Sequence, residues 1–500
     1  MKKIFIVSTF ILCSAKDVLY GQAAQKILEG VKEVQVHNIG AIRSAGVVKG
    51  YFSFYEYDKA DKHSLIYKLS LTDENLNPLG TKDIIGSDKK LLLSSAYDGK
   101  NFCFKFWDND ENTIEMKVFN QQGEELASNV ENTKYEPTNM NNFFYQAVDP
   151  ELSVIDNGGG FINYSFYPEN KGFFVNYVDG TTKRKWNKAY DPGHGYKIIQ
   201  PTFIGADQTI ILTAVSIIGK GDNGERGGNF LLASDPKNGA EVFNVSTDGQ
   251  GSFMSPISAT VAGDKISVIG LIYTSPLAMT ATPEGIAFID MDRKGKVLNK
   301  VVRSFDQTIG KFQTLDKFKF EDKSFPFIHQ VSQMPDGNTV MLIEKFKSSF
   351  MGGLSLGNMV VIVLDKNYNY IQGKEIQKEV GTASTGVAQM GGSYFAANNA
   401  KNHDQLDFLY SQYSEDKSSI AFSFVEREIK ARKGVYNLKS FGQIKYENGK
   451  ITSDKVPFKN ELNEDATATW VYPAKTGYFL EANYFKKQKQ LKMNFVKLNN

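Results

Sequence analysis

Residues 287 to 299 read AFIDMDRKGKVLN, an apolar run that meets two aspartates and a glycine before apolar residues resume. Asp290, Asp292 and Gly295 have a D-x-D-x-x-G spacing, which occurs in calcium loops and also in tight turns between strands. An Asp side chain bonds nearby backbone amides, and Gly supplies positive φ without steric cost. The choice between a metal loop and a hairpin turn decides how the rest of the chain is interpreted.

Six other stretches repeat this turn with different polar residues. They are YKLSLTDENLNPLG at Asp73, IEMKVFNQQGEEL at Asn120, FFVNYVDGTTKRKW at Asp179, FLLASDPKNGAEVFNV at Asp235, VVIVLDKNYNYIQG at Asp365 and GQIKYENGKIT at Asn448. A calcium site would need the same oxygen ligands in every copy and a bidentate acid at a fixed distance. The ligand positions change from copy to copy, so the repeats predict hairpins and no metal ion.

A second short-turn hairpin precedes each copy, as in SAYDGKNFCFKF and FIGADQTIILTAV. Each unit is therefore strand, turn, strand, variable loop, strand, turn, strand, and recurs about every 60 residues. Four antiparallel strands per unit form a propeller blade, whose two faces must be covered by neighbours. The sequence predicts an all-β chain folded as a single β-propeller, most consistent with eight four-stranded blades. A seven-bladed ring is the alternative, and two sandwich domains are a weaker one.

The last unit has only three strands, near residues 467–471, 478–485 and 491–498. Residues 31 to 39, VKEVQVHNI, form a spare strand at the other end of the chain. Pairing this N-terminal strand with the last blade would remove the break between the first and last blades. We therefore expect a propeller domain over residues 31–500, closed by the N-terminal strand; a loose N-terminal arm is the alternative.

The N-terminus reads MKKIFIVSTFILCSAKDVLYGQAAQ, with two lysines before a short apolar run and small residues near position 23. This pattern predicts a signal peptide over residues 1–23 and a secreted, periplasmic or cell-envelope protein. A lipoprotein anchored through Cys13 is not favoured, because bulky Leu12 precedes it. No later stretch is long and apolar enough to cross a membrane. The remaining cysteine, Cys103, is expected to pack as a small apolar side chain.

Composition and motifs narrow the function classes. The 58 basic and 56 acidic residues give a net charge of +2, so nucleic-acid binding lacks its electrostatic footprint. The five histidines show no zinc-binding spacing, and no motif predicts a cofactor. Catalysis is therefore not favoured. Carboxylates are abundant, so a carbohydrate-active hydrolase or lyase stays an alternative.

The longer segments fall in the middle loop of a unit or between units, and a propeller displays both loop sets on one face. Loops on a rigid scaffold usually carry recognition. The candidate ligand-binding residues on this long-loop face are His194, Tyr196, Arg226, Phe350, Met351 and Arg432.

Two of these loops have open interpretations. Phe350, Met351, Leu354 and Leu356 either contact a partner or plug the channel. The basic loop that begins at Arg427 binds an anion or is a solvated hairpin.

The signal, the blade-like repeats and the aromatic strands together resemble secreted propeller proteins of Gram-negative bacteria that form families of unknown function. The resemblance covers about residues 31 to 500, rests on pattern, and carries over no functional residues. From the long-loop face and the predicted export, we expect a monomeric binding or scaffold module for a protein or surface-glycan partner at the cell envelope. A propeller-based hydrolase or lyase and a structural subunit of an envelope assembly are the alternatives.

Overall fold

The computed structural model describes sixteen stretches of the chain, which together hold eight antiparallel sheets. The described residues are 25–44, 47–108, 111, 113–132, 152–166, 172–191, 196–219, 227–249, 252–274, 281–349, 353–384, 392–402, 405–429, 436–458, 466–475 and 477–498. The predicted signal peptide, with Cys13, lies outside these residues.

The first four blades are formed by consecutive strands, each pairing with the next one along the chain. Blade 1 contains β2 (Ile39–Ser44), β3 (Val47–Lys59), β4 (Ser64–Asp73) and β5 (Pro78–Ser87). Blade 2 contains β6 (Lys90–Tyr97), β7 (Phe102–Asp108), β8 (Thr113–Phe119) and β9 (Glu125–Asn132). Blade 3 contains β10 (Ser153–Ile155), β11 (Gly160–Phe166), β12 (Phe173–Val178) and β13 (Lys185–Tyr190). Blade 4 contains β14 (Tyr196–Asp207), β15 (Ile210–Gly219), β16 (Asn229–Ser234) and β17 (Glu241–Ser246).

The last four blades follow the same order except at the chain ends. Blade 5 contains β18 (Phe253–Ala262), β19 (Lys265–Tyr273), β20 (Gly285–Asp292) and β21 (Val297–Ser304). Blade 6 contains β22 (Phe325–Gln333), β23 (Thr339–Ser349), β24 (Gly353–Leu364) and β25 (Tyr370–Ile376), with β26 (Gly381–Ser384) added beside β24. Blade 7 contains β27 (Phe408–Tyr413), β28 (Ser419–Ile429), β29 (Tyr436–Glu447) and β30 (Lys450–Pro457). Blade 8 contains β31 (Ala468–Pro473), β32 (Tyr478–Phe485), β33 (Gln490–Lys497) and β1 (Gln25–Glu29). The eight-bladed prediction is confirmed.

The D-x-D-x-x-G stretch is a hairpin turn between β20 and β21, as the sequence predicted. The Asp292 carboxylate accepts hydrogen bonds from the backbone N–H of Lys294 at 2.8 Å and of Lys296 at 2.9 Å. Gly295 has a φ of +81°, which L side chains rarely adopt. Asp290 accepts a hydrogen bond from the Ser267 hydroxyl on the neighbouring strand at 2.8 Å. Both carboxylates are therefore engaged by groups of blade 5 itself.

The same side-chain geometry recurs at the other turns. Asp365 accepts from the N–H of Asn367 and of Asn369, both at 2.8 Å. Asp73 accepts from Asn75 and Asn77 in the same way. Because a carboxylate or amide oxygen satisfies this geometry equally well, Asn120 serves as well as Asp at its turn.

Each blade is held by burying both faces against its neighbours. In β24, Val360, Ile362 and Leu364 pack with blade 5. The alternate residues Val361 and Val363 pack with blade 7. Side chains alternate between the faces of a strand, so a strand that is apolar at every position must be covered twice. The fourth strands, such as β21 and β30, are mostly exposed and form the outer rim.

The two chain ends close the ring together. β1 pairs with β33 in antiparallel register, with Leu28 opposite Leu491. Both leucines lie in the cluster that joins blade 8 to blade 1. The last blade thus receives its fourth strand from the N-terminus, as predicted, and the first and last blades pack like any other neighbours.

The position of the closing strand is a correction to the sequence prediction. It is Gln25–Glu29, whereas residues 31 to 38 form a largely irregular segment with a short 3-10 turn at Val36–Asn38, and Ile39 begins β2 of the first blade. Gly30, with a φ of +72°, lies at the end of β1. The segment packs between blades 8 and 1, where Val31 and Val34 are buried. The apolar pattern of this segment therefore reflects burial between blades and not strand pairing.

The connections into and out of blade 6 contain the helical residues of the described chain apart from Val36–Asn38. The turn Phe305–Gln307 and the four-residue helix Ile309–Phe312 precede the blade, and β26 and the helix Ser393–Asn402 follow it. This accounts for the longer repeat intervals there.

Leu354 and Leu356, predicted in an exposed loop, lie in β24 and are buried against the Ser393–Asn402 helix. Cys103 is buried and free, as expected.

We expect Leu28→Ala to lower the free energy of unfolding by about 2 kcal/mol, because it removes a buried side chain from the closing strand. Urea titration followed by far-UV circular dichroism measures this. Ile27→Ala is the matched control, since Ile27 is 42% exposed and Leu28 only 7%; its effect should stay within about 0.5 kcal/mol. Equal effects of the two variants would contradict ring closure by burial of this strand.

Candidate functional site

The first strands of several blades line one central cavity of about 840 Å³. β2, β6, β27 and β31 contribute most of its described lining, and β22 contributes His329. Because first strands from separate blades meet in one space, they face the axis of the ring. The segment that follows β1 also reaches the cavity, since Val36 and His37 line it.

Aromatic rings form much of the cavity wall. Blade 8 provides Trp470 and Tyr472, and blade 7 provides Phe408 and Tyr410. Hydrogen bonds fix two of these rings: Tyr410 Oη donates to the Tyr472 carbonyl at 3.3 Å, and Tyr472 Oη donates to the Val36 carbonyl at 2.7 Å. The wall is therefore set by the blades and by the segment that follows the closing strand.

The charged groups in the described lining are all cationic or histidine. Arg43, Lys401 and Arg427 line the cavity, and no Asp or Glu is found among the described lining residues. Arg427 also donates from Nη1 to the Gln405 carbonyl at 2.9 Å. Arg427, the first residue of the basic segment expected either to bind an anion or to be a solvated hairpin, lies in β28 and lines the cavity.

Arg43 crosses from blade 1 towards blade 7. Its guanidinium carbon lies 5.7 Å from the centre of the Tyr410 ring, a cation–π contact. Among the described residues, no hydrogen bond or ion pair to the Arg43 guanidinium is found. Burial lowers the pKa of Arg43, and no carboxylate acts against that shift. The group is a half-buried cation in the lining of the cavity.

A buried polar network lies beside the cavity between blades 6 and 7. His329 Nε2 and Glu344 Oε2 are 2.8 Å apart, and Lys378 Nζ lies 3.3 Å from Glu344 Oε1. Lys378 also donates to Asp407 Oδ2 at 2.5 Å. All four side chains are almost completely withdrawn from solvent. Two carboxylates therefore share one ammonium group, with a histidine at one end.

The pKa values in the network follow from burial and from this charge imbalance. Burial, assisted by the charge of Glu344, raises the pKa of Asp407 to about 6. Burial alone would raise the pKa of Glu344, but Lys378 and His329 lower it. Burial lowers the pKa of His329, which favours the neutral imidazole. Asp407 is therefore the group of the network that binds a proton as the pH falls through about 6.

None of the residues predicted from the loops is among the described lining residues of the cavity. His194, Arg226, Phe350, Met351 and Arg432 lie outside the described residues. Tyr196 begins β14, where its backbone pairs with Gly219 at one end of blade 4. The described cavity lining comes instead from the blades on either side of the closure and from their first strands.

Sequence reasoning missed Arg43, Tyr410, Trp470 and Tyr472 because they lie in strands, not in the long loops. A usable signal did exist. Arg43 is a cation within the apolar strand IGAIRS, and each tyrosine or tryptophan falls in a first strand. Aligning the first strands of all units would have placed these residues towards a common axis.

Neither a metal-ligand cluster nor a membrane-spanning helix is found in the described part of the chain. No group of three or more His, Cys, Asp or Glu side chains there is arranged to hold a metal ion. None of the helices described is long and apolar enough to cross a membrane.

A model of a family of unknown function, DUF6770, matches residues 1–357 and 348–499. No curated protein sequence matches the chain.

Similar solved structures include the WD40 domain of SCAP from fission yeast, at 10% identity and TM-score 0.37, covering 95% of this chain and 99% of that one. The β-propeller domain of the Trilobed protease from Pyrococcus furiosus has 9% identity and TM-score 0.38, covering 85% and 96%. The WD40 domain of Toxoplasma gondii coronin has 10% identity and TM-score 0.32, covering 95% and 87%. At these TM-scores the architecture rests on the strand pairing described above.

We expect the free energy of unfolding of Asp407→Asn, relative to that of the wild type, to rise between about pH 4 and pH 6. Because the folded-state pKa of Asp407 is raised from 3.8 to about 6, the folded chain keeps a proton that the unfolded chain releases. This contribution to wild-type stability is present below pH 4 and is lost as the pH rises through 6. The Asn side chain imitates the protonated carboxyl group at every pH, so the variant does not lose this contribution as the pH rises.

Urea unfolding of both proteins from pH 4 to 8 measures the difference. Above pH 7 the difference in the free energy of unfolding between the two proteins should be constant. The measurements in that range are therefore the internal control. A difference that does not change between pH 4 and 7 would show that Asp407 is not the group that holds the proton.

Proposed function

We propose that this chain, which belongs to the DUF6770 family of unknown function, is a binding module that holds a small organic ligand in its central cavity. The observation that carries the proposal is the aromatic-lined space of about 840 Å³ formed by the first strands. Ligand sites in proteins are typically concave spaces of 300–1,000 Å³ with mostly apolar walls and a few polar groups.

The cavity is supported by rigid elements. Its wall residues lie on strands that are hydrogen-bonded within blades, and Tyr472 is additionally tied to the segment that follows β1. Trp470 stacks near-parallel to Tyr484 of the adjacent strand, with ring centres 6.3 Å apart. A preformed wall lowers the entropy that a ligand must lose on binding. Flat rings suit a ligand with a flat or ring-shaped body.

The geometry supports binding better than glycoside hydrolysis. That reaction generally uses two carboxyl groups that flank the scissile bond. The described lining offers cations and rings at this place. The His329–Glu344 pair resembles an oriented base, but both side chains are 1% exposed and they share Lys378 with Asp407. We assign the pair to the network in which Lys378 links Glu344 of blade 6 to Asp407, the residue before blade 7.

We propose that the protein acts outside the cytoplasm and binds a protein or a surface glycan. The partner would contact the long-loop face. One of the partner's chain ends or small groups would then enter the cavity. The predicted signal peptide supports this location, since its removal after residue 23 would leave β1, which starts at Gln25, complete.

We expect Trp470→Ala to weaken binding of a ring-containing ligand to the purified full-length chain about tenfold, because a stacked ring contributes roughly 1 kcal/mol beyond the area it buries. Saturation-transfer NMR with a panel of monosaccharides and monocyclic aromatic compounds identifies binders. Calorimetry then gives their dissociation constants.

Trp186→Ala is the matched control, since Trp186 is also a half-buried stacked tryptophan but lies on the outer strand of blade 3. Its binding constants should equal those of the wild type. Binding that neither variant changes would place the ligand elsewhere. Turnover of a bound saccharide by the pure protein would replace binding by catalysis as the function.

We expect the exported protein to begin at or within two residues of Ala24 when the full gene is expressed in a Gram-negative host. Intact-mass measurement of the periplasmic or secreted protein gives the first residue. Ile6→Arg, which breaks the apolar run of the signal, should leave the leader attached in the cytoplasm. A mature protein that lacks Gln25–Glu29 would contradict the proposal, because the ring would lose its closing strand.

A further inference from the structure

We infer that Arg43 is the anchor of the central cavity and that the ligand carries a carboxylate on a ring-shaped body. The inference rests on the proposed function and adds the chemical class of the ligand. It is drawn from a cation without an ion partner among the described residues, placed in a cavity whose described wall contains no acid.

Arg43 is placed as a ligand-binding group and not as a structural one. Structural arginines in this chain are engaged: Arg293 pairs with Asp207 at 2.7 Å, and Arg303 donates to the Asn367 carbonyl at 2.8 Å. The described partners of Arg43 are the Tyr410 ring and, electrostatically, the Tyr51 hydroxyl; neither is an anion paired with the guanidinium. A guanidinium withdrawn from bulk water without an anion costs free energy, and a bound anion would offset that cost.

The surroundings of Arg43 indicate which anion fits. A guanidinium presents its N–H donors in one plane, which matches a planar carboxylate through two parallel hydrogen bonds. The Tyr410 ring covers one side of the guanidinium, and Trp470 and Tyr472 line the same cavity. Burial raises the pKa values of Tyr410 and Tyr472, so both phenols stay neutral and do not compete as anions. A singly charged acid with an apolar or ring body satisfies both the cation and the rings.

Lys401 and Arg427 reinforce this selection. Both line the cavity, so the described wall carries three permanent cations. The net charge of the whole chain is only +2, so this concentration of positive charge is local. A local positive field raises the concentration of anions at the cavity and disfavours cations. The ring-shaped acid has two natural sources, an acidic sugar of a surface glycan or a free aromatic acid.

Matched acid and amide probes test the inference on the full-length chain. Calorimetry compares glucuronate with glucuronamide for the sugar source, and phenylacetate with phenylacetamide for the aromatic source. We expect at least one acid to bind about tenfold or more tightly than its amide, as a charge-assisted pair of hydrogen bonds would give. The pair that shows the difference identifies the source.

Arg43→Gln should remove the preference for the acid and leave the affinity for the amide unchanged. Arg43→Lys should keep part of the preference, because it retains the charge but not the planar donor pair. Arg303→Gln, an arginine on the outer strand of blade 5, is the control and should keep the full preference. The urea midpoint of Arg43→Gln should equal or exceed that of the wild type, because a cation without an ion partner is removed.

The outcomes separate this inference from the proposed function. Equal binding of acid and amide by the wild type, or an acid preference that survives in Arg43→Gln, overturns the inference while the cavity remains a ligand site. Tighter binding of phenyl phosphate than of phenylacetate overturns the carboxylate assignment. Binding of none of these probes, together with no binder in the wider panel, overturns the proposed function itself.

Discussion

Mutual burial of blade faces is the constraint on which this structure depends. No blade can cover its own faces, because its middle strands are apolar on both sides, as Val360 to Leu364 of β24 show. Each face is covered by a neighbour, and the series of blades ends without exposed faces only if it closes on itself. Pairing of β1 with β33 supplies that closure, with Leu28 and Leu491 buried at the junction.

Closure also positions the candidate site. The segment after β1 passes between blades 8 and 1, and its end lines the central cavity. Tyr472 binds the Val36 carbonyl in this segment, and Tyr472 in turn accepts from Tyr410 on blade 7. The same region therefore seals the ring and builds the aromatic wall. Variants in the closing strand should be examined for both properties.

Two kinds of charged group lie near the axis, and they differ in whether an opposite charge is paired with them. In the His329–Lys378 network, opposite charges meet and hold two blades together. At Arg43 a cation faces a space without a described acid. Buried charges are usually paired, so an exception beside a cavity indicates a ligand. This contrast, and not the number of cations alone, supports the assignment of an anionic ligand.

The sequence by itself determined the blade repeat, the hairpin turns and the missing fourth strand of blade 8, because these depend on local chemistry. Asp292 and Gly295 specify their turn whatever surrounds them, and alternating apolar residues specify strands. Only the tertiary structure decided which N-terminal segment closes the ring, since Val31 and Val34 have the pattern of a strand but pack between blades. It also decided the site, because Arg43 and Tyr410 are 367 positions apart and meet only when first strands converge on one axis.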